Sequence, residues 1–114
     1  MADGAGIPSR ANSAPTPEEF HRAMIDLYKR AKIEAQYEAK IFLGMISERG
    51  GLETARYLLQ TAEPSEGYVA LWERRRLDLT VEAAVLKPEW SPLFSDDERS
   101  TARARLQAYG YEPR

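Results

Sequence analysis

The sequence contains no cysteine, which excludes disulfides, thiol catalysis and thiolate metal sites together. It has one histidine, His21, too few for a His-rich metal centre, and nothing in it implies a cofactor. A strong charge of either sign is also missing. Sixteen Lys and Arg stand against eighteen Asp and Glu, a formal net charge of −2, so the molecule as a whole has no pull on a polyanion. Any nucleic-acid role needs a local patch. The longest nearly unbroken apolar run, Ile41 to Ile46, is far short of the ~20 residues that cross a bilayer. No basic stretch followed by an apolar one, the mark of a secretory signal, opens the chain. The expected location is the cytoplasm, with no membrane partner. There is no internal repeat and no alternating pattern long enough for a sheet, which leaves an all-α class.

What is present is ordinary for a globular protein: 43% apolar and 30% charged residues in a chain of 114, a length that bounds it to one domain. Residues 1–16 are rich in Gly, Ala, Ser and Pro, with little that is strongly apolar beyond Ile7. Such a segment buries too little to offset its ordering entropy. The expectation is a disordered leader over 1–16 and a single helical domain over 17–114, built as a small bundle of five or six short helices.

Local start and stop signals mark those helices. Thr16-Pro17-Glu18-Glu19 reads as a capping box, with proline where a missing N–H costs nothing. Phe20, Met24, Leu27, Tyr28 and Ala31 then recur at helical spacing. A change of phase around Ala35 to Tyr37 divides the following residues into a second helix. Its stripe runs through Tyr37, Ile41, Phe42, Met45 and Ile46 and stops at Gly50-Gly51. Leu52, Ala55, Leu58 and Leu59 predict a third helix, and Ser65 caps a fourth with Tyr68, Leu71 and Trp72 on one face. Leu77-Asp78-Leu79 alternates like a very short strand or extended linker. Thr80 caps Val81 to Leu86, and Lys87-Pro88 ends that helix. Trp90, Leu93 and Phe94 fall in an irregular stretch set by Pro88 and Pro92, read as a lid over the core. Ser95-Asp96-Asp97-Glu98 is a second capping box, opening a last helix that carries Ala102, Leu106 and Tyr109 and ends at Gly110.

Across most of residues 20–111 these features follow a recognisable pattern. It comprises Gly50-Gly51-Leu52-Glu53 with Ala55, Leu58 and Leu59, Leu71-Trp72-Glu73, and Arg76-Leu77-Asp78-Leu79-Thr80 with Glu82. Trp90, Leu93, Phe94, Ala102-Arg103, Arg105-Leu106 and Tyr109-Gly110-Tyr111 complete it. In this the chain resembles a family of short, uncharacterised bacterial proteins, and the resemblance implies an all-helical fold. It brings no catalytic residue and no cofactor. One departure stands out, because Arg75 occupies a position where that pattern carries glycine. If the backbone there is left-handed, Arg75 is strained.

The candidates for chemistry are few. Arg74-Arg75-Arg76 leave a helix in different directions, so one or two of them can grip a phosphate or a partner carboxylate. The structural alternative pairs Arg76 with Asp78 or Glu82 to pin the corner that Thr80 caps. Asp78 and Glu82, four apart, would serve acid–base work or a divalent metal only with further oxygen ligands, and Arg76 stands there instead. Arg99, Arg103 and Arg105 with Lys87 form a candidate basic strip for a phosphate backbone. His21 has no orienting partner at useful spacing and reads as a surface residue. The aromatic residues Tyr68, Trp72, Trp90, Tyr109 and Tyr111 read as core, and an exposed Trp90 would anchor an interface. The expected function is a non-catalytic binding or accessory module acting through protein–protein contact at Arg74, Arg75 and Trp90. The alternative is nucleic-acid binding through Lys87, Arg99, Arg103 and Arg105.

Overall fold

A computed structural model describes residues 14–113. Most of the expected leader lies outside the described residues. Among the described residues six α-helices run in order: α1 (Pro17–Glu34), α2 (Lys40–Arg49), α3 (Gly51–Gln60), α4 (Glu66–Glu73), α5 (Val81–Val85) and α6 (Asp96–Ala108). Two 3₁₀ segments, Leu77–Leu79 and Pro88–Leu93, join the last three, and no strand occurs among the described residues. The fold is all-α.

Four of these helices begin where a side chain at the cap position satisfies a free amide. The Thr16 hydroxyl accepts from the Glu19 N–H while the Glu19 carboxylate accepts from the Thr16 N–H, and Ser95 and Glu98 repeat that reciprocal pair at α6. Ser65 caps α4 and Thr80 caps α5 in the same way, each hydroxyl accepting from the N–H three residues on. Caps of this kind stabilise a helix by about 1 kcal/mol each. Helix α3 has no side-chain cap of its own, since Gly50 stands at that position. His21, one turn into α1, supplies the acceptor instead: its Nδ1 takes the Gly51 N–H at 2.9 Å. The two helices meet so closely there that a Cβ on Gly51 would lie 2.7 Å from the His21 Cα.

Helix ends explain the breaks. Helix α1 stops at Glu34 because Gln36 is left-handed (φ 54°) and the Tyr37 N–H turns back to the Ala31 carbonyl. Helices α4 and α6 end in the same double hydrogen bond. The N–H groups of Arg75 and Arg76 return to Trp72 and Leu71, and those of Gly110 and Tyr111 to Gln107 and Leu106. This is the Schellman arrangement, whose penultimate residue must be left-handed. Gly110 fills that place in α6 (φ 81°) and Arg75 in α4 (φ 58°).

One core joins all six helices. Phe20, Met24, Ile46, Ala55, Tyr68, Leu79, Val85, Ala102 and Leu106 are at its centre. Burying each large apolar side chain stabilises by roughly 1.5–3 kcal/mol. Phe20 receives Trp90 edge-on (5.2 Å, 85°) and Phe94 (5.1 Å, 68°), so the segment set by Pro88 and Pro92 does cover α1.

Three local expectations need correction. Leu77-Asp78-Leu79 is a 3₁₀ turn rather than a strand or an extended linker, closed by the Leu79 and Thr80 N–H groups returning to Arg76 and Leu77, with both leucines buried. Ile41 is not in the core but 70% exposed. Tyr37 lies in the non-helical stretch before α2, which begins only at Lys40, so the stripe does not carry across. The tryptophans exchange roles: Trp90 packs against the core, while Trp72 is 45% exposed and touches Tyr109 edge-on at 5.3 Å.

Candidate functional site

The arginine triplet at the end of α4 divides its work. Arg74 donates from Nε to the Ala35 carbonyl (3.1 Å) and from Nη1 to Ala70 (2.9 Å), and its guanidinium lies 5.1 Å from the centre of the Tyr37 ring. It thereby holds the α1–α2 turn to α4, which takes it out of a free binding surface. Arg76 grips Asp78 with two donors (3.0 and 3.1 Å) and reaches Glu34 at 2.7 Å, forty-two positions back. Arg30 completes the cluster by a two-pronged contact with Glu34. These guanidinium hydrogen bonds hold the Glu34 carboxyl down to about 2. Of the three arginines only Arg75 stays exposed without a hydrogen bond or ion pair among the described residues.

Glu82 does not join that corner. It is 3% exposed and pairs with Arg105, whose Nη1 donates to its carboxylate at 2.8 Å. Arg105 also donates to the carbonyls of Leu58 (3.1 Å) and Thr61 (2.7 Å), the C-terminal end of α3. The Tyr68 hydroxyl closes the group by donating to the Arg105 carbonyl at 3.1 Å. Burial raises the Glu82 carboxyl above its ordinary range, and the Arg105 hydrogen bond opposes that. The two carboxylates read as an acid–base or metal pair are therefore each held by a different arginine, and no acidic cluster able to hold a metal occurs among the described residues.

The basic strip expected on α6 is broken by the same contacts. Arg105 turns inward, its side chain 9% exposed. Arg99 is half-buried with its Nε unpaired among the described residues. Lys87 and Arg103 remain exposed. The sequence carried a sign of this, because Arg105 stands three residues after Ala102 and four before Tyr109, on the apolar stripe itself.

What the sequence did not show is a cavity of about 90 Å³ between α1, α2 and α4, floored by the Leu79–Glu82 turn. Tyr28, Tyr37, Phe42, Met45, Tyr68 and Leu71 form much of its wall, and the exposed Ile41 stands at its rim. The wall tyrosines stay protonated. Burial raises Tyr37 and Tyr68, and burial together with the Glu38 carboxylate at 3.0 Å raises Tyr28. Apart from Glu66 and Glu82 the wall is therefore apolar, with neutral tyrosine hydroxyls set into it. Helix α2 supplies the least-covered side: of Ile41, Phe42, Leu43, Met45 and Ile46 only Ile46 is buried.

Compared with known proteins, the chain matches no family model, no curated protein and no solved structure. No described helix is long and apolar enough to cross a membrane.

Proposed function

We propose that this chain is a non-catalytic binding module that holds a partner protein by an apolar segment laid on α2. The supporting observation is the uncovered face of that helix. A ten-residue helix is marginal in water unless packing holds it. Yet α2 has no side-chain cap and leaves Ile41, Phe42, Leu43 and Met45 wholly or partly open beside a cavity. Contiguous apolar surface of that kind suits an interface, where an anchor side chain in a pocket carries much of the affinity. The surface first expected, Arg74, Arg75 and Trp90, contributes Arg75 alone, since Arg74 and Trp90 are engaged within the fold.

A photoreactive residue placed at Ile41 tests this in cells. The expected result is a discrete protein adduct that disappears when Gly67→Leu fills the cavity and does not form from position Arg103. The competing reading, nucleic-acid binding through Lys87, Arg99 and Arg103, is tested by fluorescence anisotropy with labelled oligonucleotides. Binding that survives physiological salt and is lost in Arg103→Glu would displace the protein-partner reading.

A further inference from the structure

We propose that the segment docking on α2 is basic, placing one branched aliphatic side chain in the cavity and a lysine or arginine against Glu66. This rests on the reading of α2 as a docking face and goes further, to the chemistry of the occupant.

Cavity size limits the anchor. About 90 Å³ is smaller than the ~150 Å³ apolar cavity known to accept benzene. A leucine, isoleucine or valine side chain matches such a space better than an indole. The wall suits an aliphatic group, being apolar on most sides, and interiors tolerate little overpacking.

Charge limits what flanks the anchor. Among the described residues Glu66 and Glu82 are the charged ones that line the cavity, and no lysine or arginine lines it. Glu82 is committed to Arg105. Glu66 is exposed at the first turn of α4 and makes no ion pair among the described residues, yet its charge is felt at the Tyr37 hydroxyl. The cations nearby are otherwise engaged or outside the lining. Arg74 is fixed on two carbonyls and the Tyr37 ring, Lys32 lies 3.9 Å from Glu38, and Lys40 precedes Ile41 on α2 without lining the cavity. The mouth thus presents one unpaired carboxylate beside an apolar hole. An aliphatic side chain next to a cation complements both, and an acidic neighbour would face Glu66 with like charge.

The probes are capped, fluorescein-labelled alanine-based helical peptides. Each carries one central anchor (Leu, Trp or Ala) and either lysines or glutamates one turn away on the same face. Anisotropy titrations at low and physiological salt should give tightest binding for the Leu/Lys peptide. The Leu/Glu peptide and the Ala-anchored peptide should each bind about tenfold more weakly, and a Trp anchor should bring no gain. Glu66→Lys should reverse the charge preference and Glu66→Gln should abolish it, circular dichroism showing both variants folded. Gly67→Leu should prevent binding of every peptide. Equal binding of the lysine and glutamate peptides, or a preference unchanged in Glu66→Lys, overturns the inference. With Gly67→Leu still preventing binding, that result leaves the α2 docking face intact. Failure of all the peptides to bind overturns the inference too, and the Ile41 crosslink then decides separately whether α2 is a docking face.

Discussion

Replacing Arg75 by glycine isolates the cost of one backbone conformation. Arg75 sits at φ 58°, in the left-handed place of the Schellman turn that closes α4, and its N–H and that of Arg76 make the two returning bonds at 3.0 and 2.8 Å. Its side chain is exposed and makes no hydrogen bond or ion pair among the described residues, so removing it loses no partner. A non-glycine residue in that region costs about 1–2 kcal/mol. Glycine removes this strain but gains unfolded-state entropy of roughly 0.5–1 kcal/mol. The net expectation is a stabilisation of about 1 kcal/mol, which for a domain of this size raises Tm by about 4–8 °C. The molecule holds its own reference, since Gly110 fills the equivalent place in α6 with the same pair of bonds. Gly110→Arg should therefore lower Tm by a similar amount, and Arg75→Ala, which keeps the Cβ, should bring no gain. Thermal and urea unfolding followed by circular dichroism measure all three, with the m-value checking that the denatured state is unchanged. A Tm for Arg75→Gly equal to or below that of the parent would refute the argument.

Arg105→Met should cost roughly 3–5 kcal/mol, because it leaves the Glu82 carboxylate buried and unpaired. Adding Glu82→Leu should recover most of that, and a loss under about 1 kcal/mol in urea titrations of the single variant would contradict the buried pair. Two glycines to alanine should move in opposite directions. Gly44, mid-helix with nothing within 4 Å of a Cβ, should gain roughly 0.5–1 kcal/mol, while Gly51, whose Cβ would meet the His21 backbone, should lose stability in the same assay. Acid should reveal Glu34: its carboxyl is depressed from 4.5 to about 2, so its stabilisation is fully present above 4.5 and is lost as pH falls through 2. Unfolding measured across that window should show a descending segment that Glu34→Gln removes.

Helix starts were legible in the sequence because capping is local. Thr16, Ser65, Thr80 and Ser95 each find their amide three residues on, whatever the rest of the chain does. The left-handed end of α6 was legible for a different reason, glycine at 110 being the residue that tolerates positive φ, whereas an arginine at 75 carries no such sign of its own. Pairings between distant segments were not legible. Nothing near Glu82 announces that its partner is Arg105, twenty-three positions away, in place of Arg76 close by. The exchange of Trp72 and Trp90 has the same origin. Helix α4 is only eight residues long, and Trp72 lies at its edge against Tyr109 of α6, while Trp90 is drawn in by Phe20, far off in the chain. The cavity was invisible because it is made of what α1, α2 and α4 leave unfilled between them.

Arg105 makes four segments into one cooperative unit. Its side chain closes the C-terminal carbonyls of α3 and neutralises the acid of α5, while its own carbonyl receives the α4 tyrosine. If α6 frays, the carboxylate of Glu82 and the carbonyls of Leu58 and Thr61 lose their partner at once. Amides in those segments should therefore exchange with solvent at a shared free energy instead of opening one helix at a time. The contacts span 23 to 47 positions of chain, and the loop-closure entropy such contacts must overcome leads us to expect that they close late in folding. Interactions that form after the barrier slow unfolding more than they speed folding. Breaking the pair is thus expected to shorten the lifetime of the folded molecule more than it slows folding.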